Sequence, residues 1–180
     1  MLMESLMVFP GVYAPREDSF LLEECVERYA NGRVLDLGTG TGIQGIAAAL
    51  KGCEVTFVDI DPEAVRCAKV NAIANGISGE FVISDMFENV RGRYDTVIFN
   101  PPYVPTDKIE ELSTDGGKDG RFLIDRFWSE FREHLTDRYT VIILESSLNG
   151  YESDVRRFGA EVVAARDFDF ERIVVLKVSG

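Results

Sequence analysis

The sequence predicts an α/β domain. Short apolar runs alternate with helix-patterned stretches along the chain, a glycine-rich turn joins the first such run to a helix, and no Pro/Gly/Ser-rich linker breaks the alternation. The chain has 180 residues, 46% hydrophobic and 28% charged, which suits one compact domain with a sizeable core.

In chain order, residues 19–30 place Leu22, Val26 and Tyr29 at helical spacing and stop at Asn31-Gly32. Residues 33–37 read as a short buried strand, followed by the glycine-rich turn and a small-residue helix over 43–50. The next strand covers 54–58. Asp61-Pro62-Glu63 then supplies an N-cap, a proline at the first helical position and an acidic first turn, opening a helix that runs to Ala74 and stops at Asn75-Gly76. Residues 81–83 and 94–99 are further strands. A polar loop over 106–117 leads to a helix over 120–134, a strand over 140–144 and a helical stretch over 152–158. The runs 161–165 and 172–178 complete the chain as an antiparallel hairpin.

Composition narrows the function classes. No apolar stretch approaches the roughly 20 residues needed to span a bilayer. Met1 to Met7 lacks the basic region and cleavage site of an export signal. Cys25, Cys53 and Cys67 are odd in number and far apart, which argues against a disulfide framework or zinc site and for reduced thiols in the cytoplasm. The formal charge of −12 counts against tight unaided binding to DNA or RNA, whose phosphates favour a basic surface. It suits a basic protein partner, or simply solubility.

Asn100-Pro101-Pro102-Tyr103 directly follows the strand-like run 94–99. The Asn carbonyl oxygen can accept one hydrogen bond and the Pro101 carbonyl a second, and proline fixes its own backbone angle without a competing N–H. Two such acceptors at a strand end can grip both hydrogens of an amide or aromatic amine and leave its nitrogen lone pair out of plane. Tyr103 offers a flat face for the group to lie on. The plain alternative is that Asn-Pro-Pro ends a buried strand and starts a turn.

Asp36-Leu37-Gly38-Thr39-Gly40-Thr41-Gly42 occupies a strand end and opens a helix. Ligands of open α/β sheets bind in the crevice at the carboxyl ends of the strands. A dinucleotide fingerprint would require glycine where Ile43 stands. Glycine instead alternates at Gly38, Gly40 and Gly42, two residues behind an acid that would repel a pyrophosphate and attract an amino group and a sulfonium. Asp59 ends the second strand, placed for ribose hydroxyls, and Asp85 ends the third, placed for an adenine amine. Three acids at neighbouring strand ends suit S-adenosyl-L-methionine. Any one of them alone could merely cap a loop.

The set Asp36 to Gly42, Asp59, Asp85 and Asn100 to Tyr103 resembles class I S-adenosylmethionine-dependent methyltransferases. Val12-Tyr13-Ala14-Pro15-Arg16-Glu17-Asp18-Ser19-Phe20-Leu21-Leu22, Gly116-Gly117-Lys118-Asp119-Gly120-Arg121 and Asp125-Arg126-Phe127 resemble, more narrowly, the archaeal and eukaryotic HemK-related release-factor glutamine methyltransferases. The resemblance implies a single Rossmann-like domain over 1–180, with a cofactor-covering segment and helix at 1–32 and the core at 33–180. Its sheet would have seven mostly parallel strands, the last antiparallel, with helices on both faces. The resemblance further implies that Ser19, Asp36 and Gly38 contact the methionine end of the cofactor, with Gly40 and Gly42 of the glycine-rich turn also at the cofactor. Asp59 would hold the ribose and Asp85 the adenine. Asn100, Pro101, Pro102 and Tyr103 would hold the substrate, with Asn100 also adjoining the cofactor. Some relatives carry Glu where this chain has Asp36, a shorter reach with the same charge. A small zinc-binding activator subunit is implied as partner, and a peptide-chain release factor as substrate; no metal site is expected on this chain.

Two rival classes stand beside that reading. One is a nucleic-acid methyltransferase acting on an exocyclic adenine or guanine amine, opposed by the acidic charge and by a chain too short for a separate target-recognition domain. The other is a non-catalytic cofactor-binding subunit, opposed by the intact Asn100 to Tyr103. Glu17 and Asp18 can be read as a simple acidic helix start. His134 sits at an expected helix C-terminus, where positive charge is favoured. Trp128 and Phe131 are expected to pack, and Arg156-Arg157 to be a solvated helix face.

Overall fold

The computed structural model describes residues 6–105 and 117–180. The expected polar loop, apart from Gly117, lies outside the described residues, as do Gly116 and the first five residues. The elements run α1 (Glu17–Tyr29), β1 (Arg33–Leu37), α2 (Ile43–Leu50), β2 (Glu54–Asp59), α3 (Pro62–Ala74), β3 (Glu80–Ile83), β4 (Tyr94–Phe99), α4 (Phe122–Glu130), β5 (Leu135–Ser146), α5 (Glu152–Phe158), β6 (Glu161–Asp167) and β7 (Arg172–Ser179). The seven strands form one sheet in the order β3-β2-β1-β4-β5-β7-β6. β7 runs antiparallel to both β5 and β6, and the other pairings are parallel.

Strand alternation divides the core between two faces. Val34, Ile98, Ile142 and Leu144 pack with Leu22, Val26, Ile46, Ala47 and Ala68 under α1, α2 and α3. Leu35, Leu37, Val97, Phe99 and Ile143 pack with Ile124, Phe127, Trp128 and Phe131 on the other face. The second face is aromatic: Trp128 stacks on Phe158 with centroids 4.2 Å apart, and Phe127 stacks on Phe131 at 5.6 Å.

Most expected elements fall where the sequence puts them, and Asp61 accepts a capping bond from the Glu63 amide at 2.9 Å. Two differ. The single helix expected over 120–134 is α4 followed by a tighter 3-10 turn, Phe131–His134. The strand expected over 140–144 extends across 135–146, because β4 supports its start and β7 its end. His134 stacks on Phe87 at 4.6 Å, and burial lowers its pKa. Packing thus outweighs the favourable field expected at a helix end. Arg156 and Arg157 are exposed on α5 as expected.

Candidate active site

The parallel registers bring the ends of β1, β2, β3 and β4 to one edge: Leu37 pairs with both Val58 and Phe99, and Asp59 pairs with Ile83. Asp36, at the penultimate position of β1, points toward α2 and is 1% exposed. Its Oδ2 accepts from Thr39 Oγ1 at 2.6 Å and from the Gly45 amide at 2.9 Å, so one carboxyl holds both the glycine-rich turn and the first turn of α2. Gly45 must be glycine because a Cβ there would run into the Phe57 ring and reach to 2.9 Å from Asp36 Oδ2. Asp59 grips the same turn from β2, accepting from the Gly40 amide at 2.9 Å through Oδ2 and from the Asp61 amide at 3.0 Å through Oδ1. Gly38, Gly40 and Gly42 all have positive φ.

The electrostatics of these acids are informative. Burial pushes Asp36 up to about 7, opposed by the Thr39 and Gly45 donors and reinforced by the Asp59 charge. Burial likewise raises Asp59, against its backbone donors. Neither makes an ion pair among the described residues. Two buried acids with raised pKa values and no described cation beside them, across one glycine-rich turn, suit a ligand that brings positive charge with it.

Asp85 behaves differently. Its Oδ1 pairs with Arg126 Nη1 of α4 at 2.5 Å, and Arg126 also reaches Glu130 at 3.0 Å. The next residue, Met86, is the one non-glycine with positive φ among the described residues (47°), a local strain that turns the chain sharply after Asp85. Arg126 was not legible as an Asp85 partner, since 41 residues separate the two.

At the end of β4, Asn100 Nδ2 donates to Asp18 Oδ2 at 3.2 Å, while Asn100 Oδ1 is buried with no partner. Pro101 is buried, and Pro102 and Tyr103 are half-buried. Burial raises the Tyr103 hydroxyl pKa, with Asp18 and Glu171 adding to it. Ser19 is buried; its hydroxyl donates to Asp18 Oδ1 at 3.4 Å and its carbonyl accepts from Gln44 Nε2 at 2.8 Å, docking α1 onto α2. A Cβ on Gly38 would lie 3.4 Å from the Phe99 ring and 4.0 Å from the Asn100 carbonyl. Turn and tetrapeptide are therefore neighbours. Asp36, Asp59, Ser19 and Asn100 gather at this edge of the sheet, while Asp85 stands at its β3 side held by Arg126.

A buried polar cluster braces the tetrapeptide from the other face. Asn149 Nδ2 donates to the Tyr103 carbonyl at 2.8 Å and to the Asp119 carbonyl at 3.3 Å. Arg121 donates to the Asn149 carbonyl at 2.8 Å and pairs with Asp154 at 2.8 Å and Asp125 at 2.6 Å. Glu145, fully buried at the end of β5, accepts from Trp128 Nε1 at 3.1 Å and lies 3.9 Å from Arg121 Nη1. Gly120 has φ of 70°, and a Cβ on it would strike Asn149 Nδ2 and the Tyr103 carbonyl. Sequence reading singled out Gly120 and Arg121 only through family resemblance. It missed Glu145, Asn149 and Asp154, whose roles depend on a meeting between β5, α4 and α5.

No group of three or more His, Cys, Asp or Glu suited to a metal ion occurs among the described residues. No helix among them is long and apolar enough to cross a membrane.

Residues 6–167 match the methyltransferase small domain family. A relative from Methanocaldococcus jannaschii, provisionally named a protein N5-glutamine methyltransferase, is 41% identical over 95% of this chain and 93% of its own length. Methyltransferase HEMK2 of Mus musculus is 32% identical over 77% of this chain and 75% of its own length. Among solved structures, the E. cuniculi Mtq2-Trm112 complex, described as responsible for methylation of the eRF1 translation termination factor, contains a chain that superposes with a TM-score of 0.75. That match has 28% identity and covers 94% of this chain and 98% of the other.

Proposed function

The chain belongs to the methyltransferase small domain family, and we propose that it transfers methyl from S-adenosyl-L-methionine to the side-chain amide nitrogen of a protein glutamine, in a peptide-chain release factor. The observation that carries the reading is the buried, unpartnered Asn100 Oδ1 at the end of β4, next to the turn held by Asp36 and Asp59. A buried acceptor left unpaired costs about 1–3 kcal/mol, so its retention fits a site that is completed by a donor from the substrate. The name of the M. jannaschii relative points to the same acceptor group, and the E. cuniculi complex to a translation termination factor as substrate.

The crevice fits the cofactor. Asp36 would face its ammonium group, with Ser19 and Gly38 alongside and Gly40 and Gly42 shaping the turn. Asp59 has lone pairs left for ribose hydroxyls. Asp85, held through Oδ1 by Arg126, keeps Oδ2 for the adenine amine. S-adenosylmethionine, when bound, supplies an electrophilic methyl carbon on a positively charged sulfur.

The protein's own contribution is position. An amide nitrogen is a weak nucleophile because its lone pair is delocalised into the carbonyl. Asn100 Oδ1 and the Pro101 carbonyl accept the two N–H groups, which fixes the plane of the substrate amide and turns the nitrogen face toward the cofactor. Pro102 stiffens the turn, and Tyr103 closes one side of the slot. None of these groups is a strong base, so the proton leaves to water.

The E. cuniculi relative was solved in complex with Trm112. We extend this to a small partner subunit for the present chain, carrying its own zinc, and to a cytoplasmic setting where release factors act. The test is methyl transfer from labelled cofactor to release factor, RNA and DNA in parallel, with and without that subunit. Label on a single glutamine by peptide mass spectrometry supports the reading. Label on lysine, on a carboxylate or on a nucleobase amine overturns it.

A further inference from the structure

We propose that Asp18 is a positioning residue that aims Asn100: by accepting the amide NH2, it forces the amide oxygen to face the reacting group. The proposal rests on the glutamine-methylating reading and adds to it the residue that sets the polarity of the clamp.

The carboxylate of Asp18 occupies an unusual place. Asp18 lies in the first turn of α1 and is 6% exposed, yet it makes no ion pair among the described residues. Its partners are neutral donors instead: the Tyr13 hydroxyl at 3.2 Å and the Ser19 hydroxyl at 3.4 Å on Oδ1, and Asn100 Nδ2 at 3.2 Å on Oδ2. The first turn of a helix favours negative charge, which accounts for an acid there but not for its burial against Asn100, 82 residues away.

The chemistry of the pair is directional. An ionised carboxylate only accepts hydrogen bonds, whereas a primary amide donates at one end and accepts at the other. Of the two ends of Asn100, only the NH2 can face Asp18. Because the amide is planar, fixing its nitrogen fixes its oxygen on the opposite side, and that oxygen is the buried atom without a partner. Turned over, the same side chain would set its oxygen against the carboxylate and offer a donor to the substrate. A site presenting NH2 suits a carboxylate ligand; a site presenting oxygen suits an amide NH2. On this reading, Asp18 selects glutamine over glutamate without touching either.

The test uses the full chain, with its partner subunit if activity requires it, in Asp18→Asn and Asp18→Ala forms. Asp18→Asn keeps the shape but can offer either a donor or an acceptor, so it separates polarity from packing. The probes are a release-factor peptide carrying the target glutamine and the same peptide with glutamate there, titrated by calorimetry in the presence of S-adenosylhomocysteine.

The wild type is expected to prefer the glutamine peptide by at least about tenfold. Both variants are expected to lose most of that preference, with kcat down about tenfold or more and S-adenosylhomocysteine affinity within about threefold. Exchange of the Asn100 side-chain amide protons, followed by NMR, reads the bond without any substrate and is expected to quicken in both. Unchanged exchange, or unchanged preference and kcat in Asp18→Asn, overturns the aiming role and leaves glutamine methylation standing. A wild type that does not methylate the glutamine peptide overturns the functional reading and this proposal with it.

Discussion

Asp36 and Glu145 are carboxyls buried in the same sheet, on opposite faces, and their surroundings could hardly differ more. Asp36 meets a hydroxyl, a backbone N–H and a second raised acid, with no ion-pair partner among the described residues. Glu145 sits with Trp128, Arg121 and Asp154 under the aromatic face. Burial raises both. The first arrangement has no described cation beside it and lies at the sheet edge next to the glycine-rich turn. The second has Arg121 3.9 Å away and a bond from Trp128, although Glu145 Oε2 accepts no hydrogen bond, and it braces the loop above it. Changes on the Asp36 side should therefore cost function and leave the fold intact, and changes on the Glu145 side should act on stability first.

The largest effect is expected at Asn100. If Asn100 Oδ1 is the acceptor that faces the reacting group, Asn100→Ala should lower turnover on the order of 100-fold or more. Cofactor affinity should fall far less, and the melting temperature should barely move. A variant that methylates at near-normal rate would remove the amide clamp from the mechanism and blur the contrast between the two faces.

Asp59→Ala comes next. Losing hydrogen bonds from a charged acceptor to the ribose should weaken S-adenosylmethionine binding by about 1.5–3 kcal/mol, hence at least about tenfold. The Gly40 and Asp61 amides also lose their acceptor, so the glycine-rich turn should loosen while the sheet stays folded. Calorimetric titration at wild-type affinity would take Asp59 out of the site.

Asp36 offers a subtler test of its own side. With its pKa pushed up to about 7, it is largely protonated in mildly acid solution, and an ammonium group needs it ionised. Cofactor affinity should therefore rise with pH up to about 7 and then level off, falling by at most about tenfold per unit below that. Binding near neutrality should release a proton. Titrations in two buffers of different ionisation enthalpy measure that release directly, and none detected would mean that Asp36 is already ionised or does not face the charge.

The two sides also differ in how much of them a reader of the sequence could see. The crevice was legible because its residues are local signals: Asp36 leads an alternating glycine run, Asp59 ends a strand, and Asn100-Pro101-Pro102-Tyr103 is contiguous. The fold followed from the same kind of signal, strand by strand, with β5 underestimated because its ends are held by neighbours remote in sequence. Asp18 was visible as an acid at a helix start and as part of a family-like run, but nothing local announces its bond to Asn100. The Arg126 pairing and the Asn149 bond to Tyr103 were hidden for the same reason, and Glu145 looks like any acid that follows a strand. Buried polar networks join residues by packing alone, and packing leaves no period in a sequence.

The smallest effect sharpens the comparison from the Glu145 side. Burial is the main cause raising the Glu145 pKa above its ordinary 4.5, and the Asp154 charge adds to it, while the Trp128 bond and Arg121 act the other way. Folded Glu145 therefore holds its proton at pH values where the unfolded chain has released it. In that window the unfolded state binds fewer protons, so this group's contribution to stability is fullest at acid pH and declines as pH rises above about 4.5 and through neutrality. Glu145→Gln is neutral throughout and can still accept from Trp128, so it should remove the decline. The variant should gain on the wild type by about 1 kcal/mol between pH 6 and pH 8 in urea titrations, a fraction of the roughly 1.4 kcal/mol per unit that one proton allows. Asp154 and Arg121 remain in place in both proteins, so their own titration cancels in the difference. A gap between variant and wild type that stays constant across that range would show Glu145 ionised in the folded protein. It would then be paired with Arg121 in substance as well as in space, and this side would be held by an ion pair where a neutral carboxyl is expected.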